Sequence, residues 1–417
     1  MRPRQVVLTG LAIAVLVAGG MVLGRWDAAE VDEQQAQAAL EPFYTPPSPI
    51  PAVPGTLIRS EPLGVEVPGA DALRLLYATQ RPDGTPAVSG AFAVIPRSPA
   101  PAGGRPVVAW AHGTVGMGDA CAASRTADPL AELDVWLDEM VGLGWIVVGT
   151  DYAGLGTPGP ELFLVGEAEA RDVVNSVRAV RNLAESRAGA RYAVYGHSQG
   201  GHSSLWTGHL GPSLAPELDL VGVAAAAPAA RLVEIMGAQW DTTVGWGIGP
   251  EVLVSWPAVD DALEPAQVAT STGLDNYQRI AQECTSDLGL AVELVAREEF
   301  GEKFFTADPT SQPAWREFAD AQTPPPMPAE MPVFLAQGTA DEVVLAWPNA
   351  ILEKEWCAAG SSLTTLWLGD IGHLAAAKTA GPAAVQWIAE RFAGRSAADT
   401  CGAPTPVAPQ APAAAAA

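Results

Sequence analysis

Tyr192-Ala193-Val194-Tyr195-Gly196-His197-Ser198-Gln199-Gly200-Gly201-His202 is the stretch on which the fold is decided. Its first four residues are apolar or aromatic and suit a strand, whereas those after Ser198 suit a helix. Between them, Gly196-His197-Ser198-Gln199-Gly200 has the form G-x-S-x-G. A serine in that frame sits on a tight strand-to-helix turn, with glycine where side chains would clash. The turn exposes the hydroxyl and aims the positive end of the next helix at it. So short a pattern arises by chance in a Gly-rich chain, and the flanking strand and helix therefore carry the inference.

On either side, β-rich runs alternate with helical patterns. Strands are predicted over residues 73–80, 88–95, 106–111, 145–151, 192–195, 220–225, 332–337 and 363–368. Val107-Val108-Ala109-Trp110 and Val333-Phe334-Leu335-Ala336 are continuously apolar, as strands covered on both faces require. Val173, Val174, Val177, Val180 and Ala184 follow the i, i+3, i+4, i+7 stripe of a helix. Further helices are predicted after Ser198 and around residues 348–358 and 382–392. The first two strands join as a hairpin through Arg81-Pro82-Asp83-Gly84. The fold class is α/β: a mostly parallel, doubly wound sheet with an antiparallel start, its core formed by residues 57–227 and 329–401. Residues 228–328 separate two strands by too long a stretch for a structureless loop, and read as an inserted helical cap. Trp240, Trp246, Trp256 and Trp315 lie in it, as lining of a substrate tunnel or as plain packing.

The ends are different. Arg2 and Arg4 precede an uncharged run over residues 6–24, so residues 1–26 read as a signal peptide or a signal anchor. Residues 27–56 form a polar, Pro-rich linker or arm, and residues 402–417 an Ala/Pro tail too poor in apolar side chains to fold. Export, secreted or tethered to the outer face of the cytoplasmic membrane, follows from this start; the uncharged segment would supply contact with a lipid surface. Cys121, Cys284, Cys357 and Cys401 are even in number and contain no C-x-x-C. They suit two disulfides outside the cell, with three connectivities open. Acidic residues outnumber basic ones by 47 to 23, which argues against a nucleic-acid partner held by charge.

A serine hydroxyl needs a base, and the base an orienting carboxylate. On this kind of sheet the order is Ser, then Asp or Glu, then His, each partner following a late strand. His209 falls in the nucleophile's own helix and faces elsewhere, which leaves His373, in Gly369-Asp370-Ile371-Gly372-His373. Asp341, in Gly338-Thr339-Ala340-Asp341-Glu342, is the expected acid, with Glu342 and Asp370 as rivals. The developing oxyanion needs two aimed N–H donors. These are assigned to the backbone of Gln199 and of Thr114 in His112-Gly113-Thr114, with Gly113 the rival for the second. His112 is expected to brace its loop, and His197 and His202 to pack or hydrogen-bond around the turn. Gly154-Leu155-Gly156-Thr157-Pro158-Gly159 imitates a dinucleotide fingerprint, but prolines stand where a helix should open. No spacing suggests a metal or phosphate site, and no cofactor is expected.

Together, Ala109-Trp110-Ala111-His112-Gly113-Thr114, Asp151-Tyr152-Ala153-Gly154-Leu155-Gly156, Gly196-His197-Ser198-Gln199-Gly200-Gly201-His202 and Gln337-Gly338-Thr339-Ala340-Asp341 resemble the secretory lipase family, the Candida-type lipase A group of α/β hydrolases. The resemblance spans roughly residues 45–401. It implies cofactor-free hydrolysis of carboxylic esters, including lipids, by Ser198, Asp341 and His373, under a helical cap. It also implies disulfides Cys121–Cys284 and Cys357–Cys401. The competing readings are an acyltransferase that passes the acyl group to an alcohol or cell-envelope acceptor, and a non-catalytic envelope binding module on the same fold.

Overall fold

The computed structural model describes residues 34–412. The expected signal segment, residues 1–26, lies outside the described residues, as do residues 27–33 and 413–417. The chain divides into two units, residues 1–45 and 46–417. In the first, helix α1 covers residues 34–44. Within the stretch read as a linker or arm, Gln34-Gln35-Ala36-Gln37-Ala38-Ala39-Leu40-Glu41 is built of good helix formers.

The second unit is organised by a nine-stranded sheet. Its strands are β1 (Leu57–Pro62), β2 (Ala70–Gln80), β3 (Pro86–Pro96), β4 (Arg105–Ala111), β5 (Ile146–Thr150), β6 (Ala188–His197), β7 (Asp219–Ala226), β8 (Val333–Gly338) and β9 (Leu363–Leu368). They lie in the order β1-β2-β3-β5-β4-β6-β7-β8-β9. The pairs β1/β2, β2/β3 and β3/β5 are antiparallel, and all the others are parallel. Every predicted strand is present; β1 was not predicted. It is a half-buried edge strand, Leu-Ile-Arg-Ser-Glu-Pro, whose polar residues hide it from a search for apolar runs.

Successive side chains of a strand leave opposite faces of the sheet. Val107 and Ala109 pack with Val173 and Val177 of α3 (Gly166–Asn182) and Leu205 of α4 (Gln199–Leu214). Val108 and Trp110 join the other layer, with Met140 of α2 (Leu137–Gly142) and Ala380 and Ile388 of α11 (Ala376–Phe392). Both faces of the central strands are therefore buried, which explains their unbroken apolar runs.

Between β7 and β8 the chain forms α5 (Leu232–Gln239), α6 (Thr243–Ser255), α7 (Ser271–Ala281), α8 (Leu288–Glu299) and α9 (Pro313–Ala321). Trp246, Trp256 and Trp315 are buried in a third apolar cluster, together with Phe163 and Leu164 from the loop before α3. The sulfurs are joined as Cys121–Cys284, linking the loop after β4 to this insertion, and Cys357–Cys401, linking the end of α10 (Ala346–Ala359) to the chain after α11. Residues 402–412 continue as exposed turns.

Candidate active site

The strand β6 ends at His197 and α4 begins at Gln199, which leaves Ser198 alone on the turn with φ 57° and ψ −118°. Few L-residues accept that backbone, and close packing holds it there. A Cβ on Gly196 would stand 2.1 Å from the Gly200 carbonyl oxygen, and one on Gly200 1.8 Å from that of Ala111. Glycine is required at both positions so that the turn can press against β4.

His373 enters from a loop after β9, in a short 3-10 turn over His373–Ala375. Its Nε2 lies 2.9 Å from Ser198 Oγ and its Nδ1 2.9 Å from Asp341 Oδ2. All three side chains are buried. Asp341 follows β8 and is fixed by three donors: the Val343 and Val344 amides to Oδ1, each at 3.0 Å, and Gln337 Nε2 to Oδ2 at 3.1 Å. The rivals are placed otherwise. The Glu342 carboxylate lies beside Gly372, and Asp370 is an exposed turn residue with φ 55°.

His197 and His112 pack around this arrangement, and His209 does not. Burial and the neighbouring His373 push His197 down to about 4, so its ring is neutral at ordinary pH. That ring donates through Nε2–H to the His373 carbonyl at 3.0 Å, holding the backbone of His373. His112 packs against Tyr152, ring centroids 4.7 Å apart and planes tilted by 53°, and its Nδ1 lies 2.7 Å from the Gly113 carbonyl. His209 is exposed, on the outer side of α4.

Thr114, Ser198 and Gln199 line one cavity. As the first residue of a helix, Gln199 has an N–H with no intrahelical acceptor. The Thr114 loop is held from two sides. The Tyr152 hydroxyl donates to the His112 carbonyl at 3.3 Å, and Thr285 donates through its hydroxyl to the Thr114 carbonyl at 3.1 Å. Thr285 follows Cys284, so the Cys121–Cys284 bond anchors this brace. The rest of the cavity wall is apolar and includes Phe163, Leu164, Leu232, Ile235, Val252 and Trp256. The Gly154–Gly159 segment is a turn folded on itself: a Cβ on Gly154 would sit 2.4 Å from the Pro160 carbonyl.

Besides Thr285, three residues of the neighbourhood had no role assigned in the sequence reading. Gln337 and Asn349 support Asp341 from behind, Asn349 donating to Gln337 Oε1 at 2.6 Å. Glu169 is buried behind Gln199. It occupies the position four residues before Val173 on the apolar stripe of α3, and a carboxylate there is the signal that could have marked it.

A sequence profile of the secretory lipase family matches residues 132–400. The chain belongs to the secretory lipase family. Over 385 residues it is 25% identical to the secreted triacylglycerol lipase LIP1 of Malassezia furfur, covering 87% of this chain and 77% of that one. It is 26% identical to Lipase 9 of Candida albicans over 64% of this chain and 60% of that protein's length. A third relative, 24% identical over 86% of this chain and 83% of its own, is the probable inactive lipase MT1628 of Mycobacterium tuberculosis. Among solved structures, Candida antarctica lipase A superposes with a TM-score of 0.70 at 19% identity, over 88% of this chain and 89% of that one. The rice cell wall degrading esterase LipA of Xanthomonas oryzae reaches 0.68 at 18% identity, over 82% of this chain and all (100%) of that one. The fold is that of the α/β hydrolases, and membership of this family makes the chain a carboxylic ester hydrolase by class. Kinship with secreted lipases and two disulfides indicate export. Among the described residues, no helix is long and apolar enough to cross a membrane.

Proposed function

We propose that the protein hydrolyses acyl esters, triacylglycerols among them, through an acyl-enzyme on Ser198. His373 Nε2 takes the Ser198 proton as Oγ attacks the ester carbonyl. The oxyanion rests on the N–H groups of Thr114 and Gln199. As the tetrahedral intermediate collapses, the C–O bond breaks and the protonated His373 gives its proton to the departing alcohol. Water then repeats the cycle on the acyl-enzyme with the same base and releases the acid. Asp341 holds the His373 tautomer and balances its charge.

The observation that carries this reading is the unbroken line Ser198 Oγ, His373, Asp341, with both contacts at 2.9 Å. The apolar cavity that opens at Ser198 supports an acyl chain as the group bound there. On this reading, the insertion over residues 228–328 is the cap that forms the chain's wall, and residues 1–26 are the export signal. Tributyrin, triolein and short p-nitrophenyl esters assayed side by side test it. Hydrolysis of at least one ester is expected and is lost in Ser198→Ala; absence of ester cleavage by the intact wild-type protein contradicts it. Added acceptor alcohols separate hydrolysis from acyl transfer, and free acid is expected as the main product.

A further inference from the structure

The cavity wall and the Gln199 donor are joined through one buried carboxylate. Glu169 lies on the first turn of α3 and is 2% exposed. Its Oε1 accepts the Leu164 backbone N–H at 3.1 Å and the Gln199 Nε2 amide at 3.0 Å. Its Oε2 lies 2.7 Å from His202 Nδ1.

Each of these partners has its own position to keep. Leu164 lines the cavity and has φ 54°, a left-handed backbone that a leucine holds only under constraint. Gln199 opens helix α4 immediately after Ser198, so the bond that holds its side chain also restrains the Cα position that carries its N–H. His202, one helical turn later, reaches the insertion: its Nε2 lies 2.8 Å from the carbonyl of Gln322, just past α9. Gln322 also accepts the Gly166 N–H, in the first turn of α3, at 3.0 Å. The Glu169 carboxylate is thus the shared anchor of the acyl-cavity wall, the start of the nucleophile helix and the end of the insertion.

We propose that Glu169 is a positioning residue of the oxyanion hole, setting the aim of the Gln199 N–H against the cavity wall at Leu164. This rests on the hydrolytic reading given above. A donor that stabilises charge developing in the transition state acts on kcat more than on KM. Geometric control of that donor should therefore appear in the same constant.

Glu169→Gln keeps the size but loses the second carboxylate oxygen and the charge. Steady-state kinetics on p-nitrophenyl butyrate, normalised to Ser198 sites titrated by a fluorophosphonate, should show kcat lowered about tenfold to a hundredfold. KM should stay within about threefold and thermal unfolding should remain cooperative. Gln199→Met removes the held amide while leaving the Leu164 and His202 contacts to Glu169 intact. It should lower kcat comparably, and the double variant should be no worse than the poorer single one. If the titrated sites of both single variants turn over at the wild-type rate, the proposal is overturned. The same holds if only KM rises, or if the two losses multiply in the double variant. An inactive, unlabelled wild type would instead overturn the hydrolytic reading itself.

Discussion

His373 Nε2 lies 2.9 Å from Ser198 Oγ, although the two residues are 175 positions apart in the sequence. The contact joins a loop after β9 to the turn after β6 across the carboxyl ends of parallel strands, where open α/β sheets bind ligands. Asp341 bonds the opposite ring nitrogen, so the orientation of that ring depends on it. Asp341→Asn should keep the fold and lower kcat on p-nitrophenyl esters by about 10³–10⁴. Steady-state kinetics beside a thermal melt check this.

The backbone of Ser198 stands at φ 57° and ψ −118°, a region that is costly for an L-residue with a side chain. Glycine occupies that region freely. Ser198→Gly should therefore be more stable than Ser198→Ala by about 1 kcal/mol, with both inactive. Denaturant unfolding of the two variants measures the difference directly.

Much of this was legible in the sequence, and for physical reasons. The turn at Ser198 makes strict local demands, because Gly196 and Gly200 must admit neighbouring backbone. The central strands announced themselves by being apolar on both faces. Edge strand β1 and helix α1 did not, since β1 has no fully buried residue and α1 buries only Phe43 and Tyr44 at its end. The cysteine pairing came from the family resemblance alone, because four cysteines allow three connectivities. Glu169 was marked only by a carboxylate on an apolar stripe, and the roles of Gln337 and Thr285 were out of reach, as their partners Asn349 and Thr114 are brought to them by tertiary folding.

The two disulfides should differ in consequence. The chain-entropy relation gives about 4 kcal/mol for Cys357–Cys401, separated by 44 residues, and about 5 kcal/mol for Cys121–Cys284, separated by 163. Only the second anchors Thr285 against the Thr114 loop. The Cys121→Ser/Cys284→Ser variant should thus lose kcat as well as stability, and the Cys357→Ser/Cys401→Ser variant mainly stability. Urea unfolding and ester kinetics on each pair separate the effects.

Alkaline pH should weaken the fold through Glu161. Burial pushes its carboxyl from 4.5 up to about 8, and Glu169 and Asp172 add to the rise while the Gln199 amide and Arg81 oppose it. A group raised in the folded state contributes stability that is full below its unfolded value and lost as pH climbs through the folded one. The window is therefore about pH 4.5 to 8. Glu161→Gln, which cannot ionise, should lose less melting temperature than wild type between pH 5 and pH 9. Equal losses in the two proteins would refute this.

On the proposed function, the cavity wall sets which acyl chain fits. Val252 faces it from α6, so Val252→Trp should fill the inner space and spare short esters. Hydrolysis of triolein should fall at least about tenfold relative to tributyrin, as measured by pH-stat titration.

The most direct measurement is mass spectrometry of the protein after reaction with a fluorophosphonate ester. The account predicts one adduct, on the peptide carrying Ser198, appearing in step with the loss of ester hydrolysis and absent from folded Ser198→Ala. Ester turnover that persists in Ser198→Ala, or that disappears while Ser198 stays unlabelled, would contradict it.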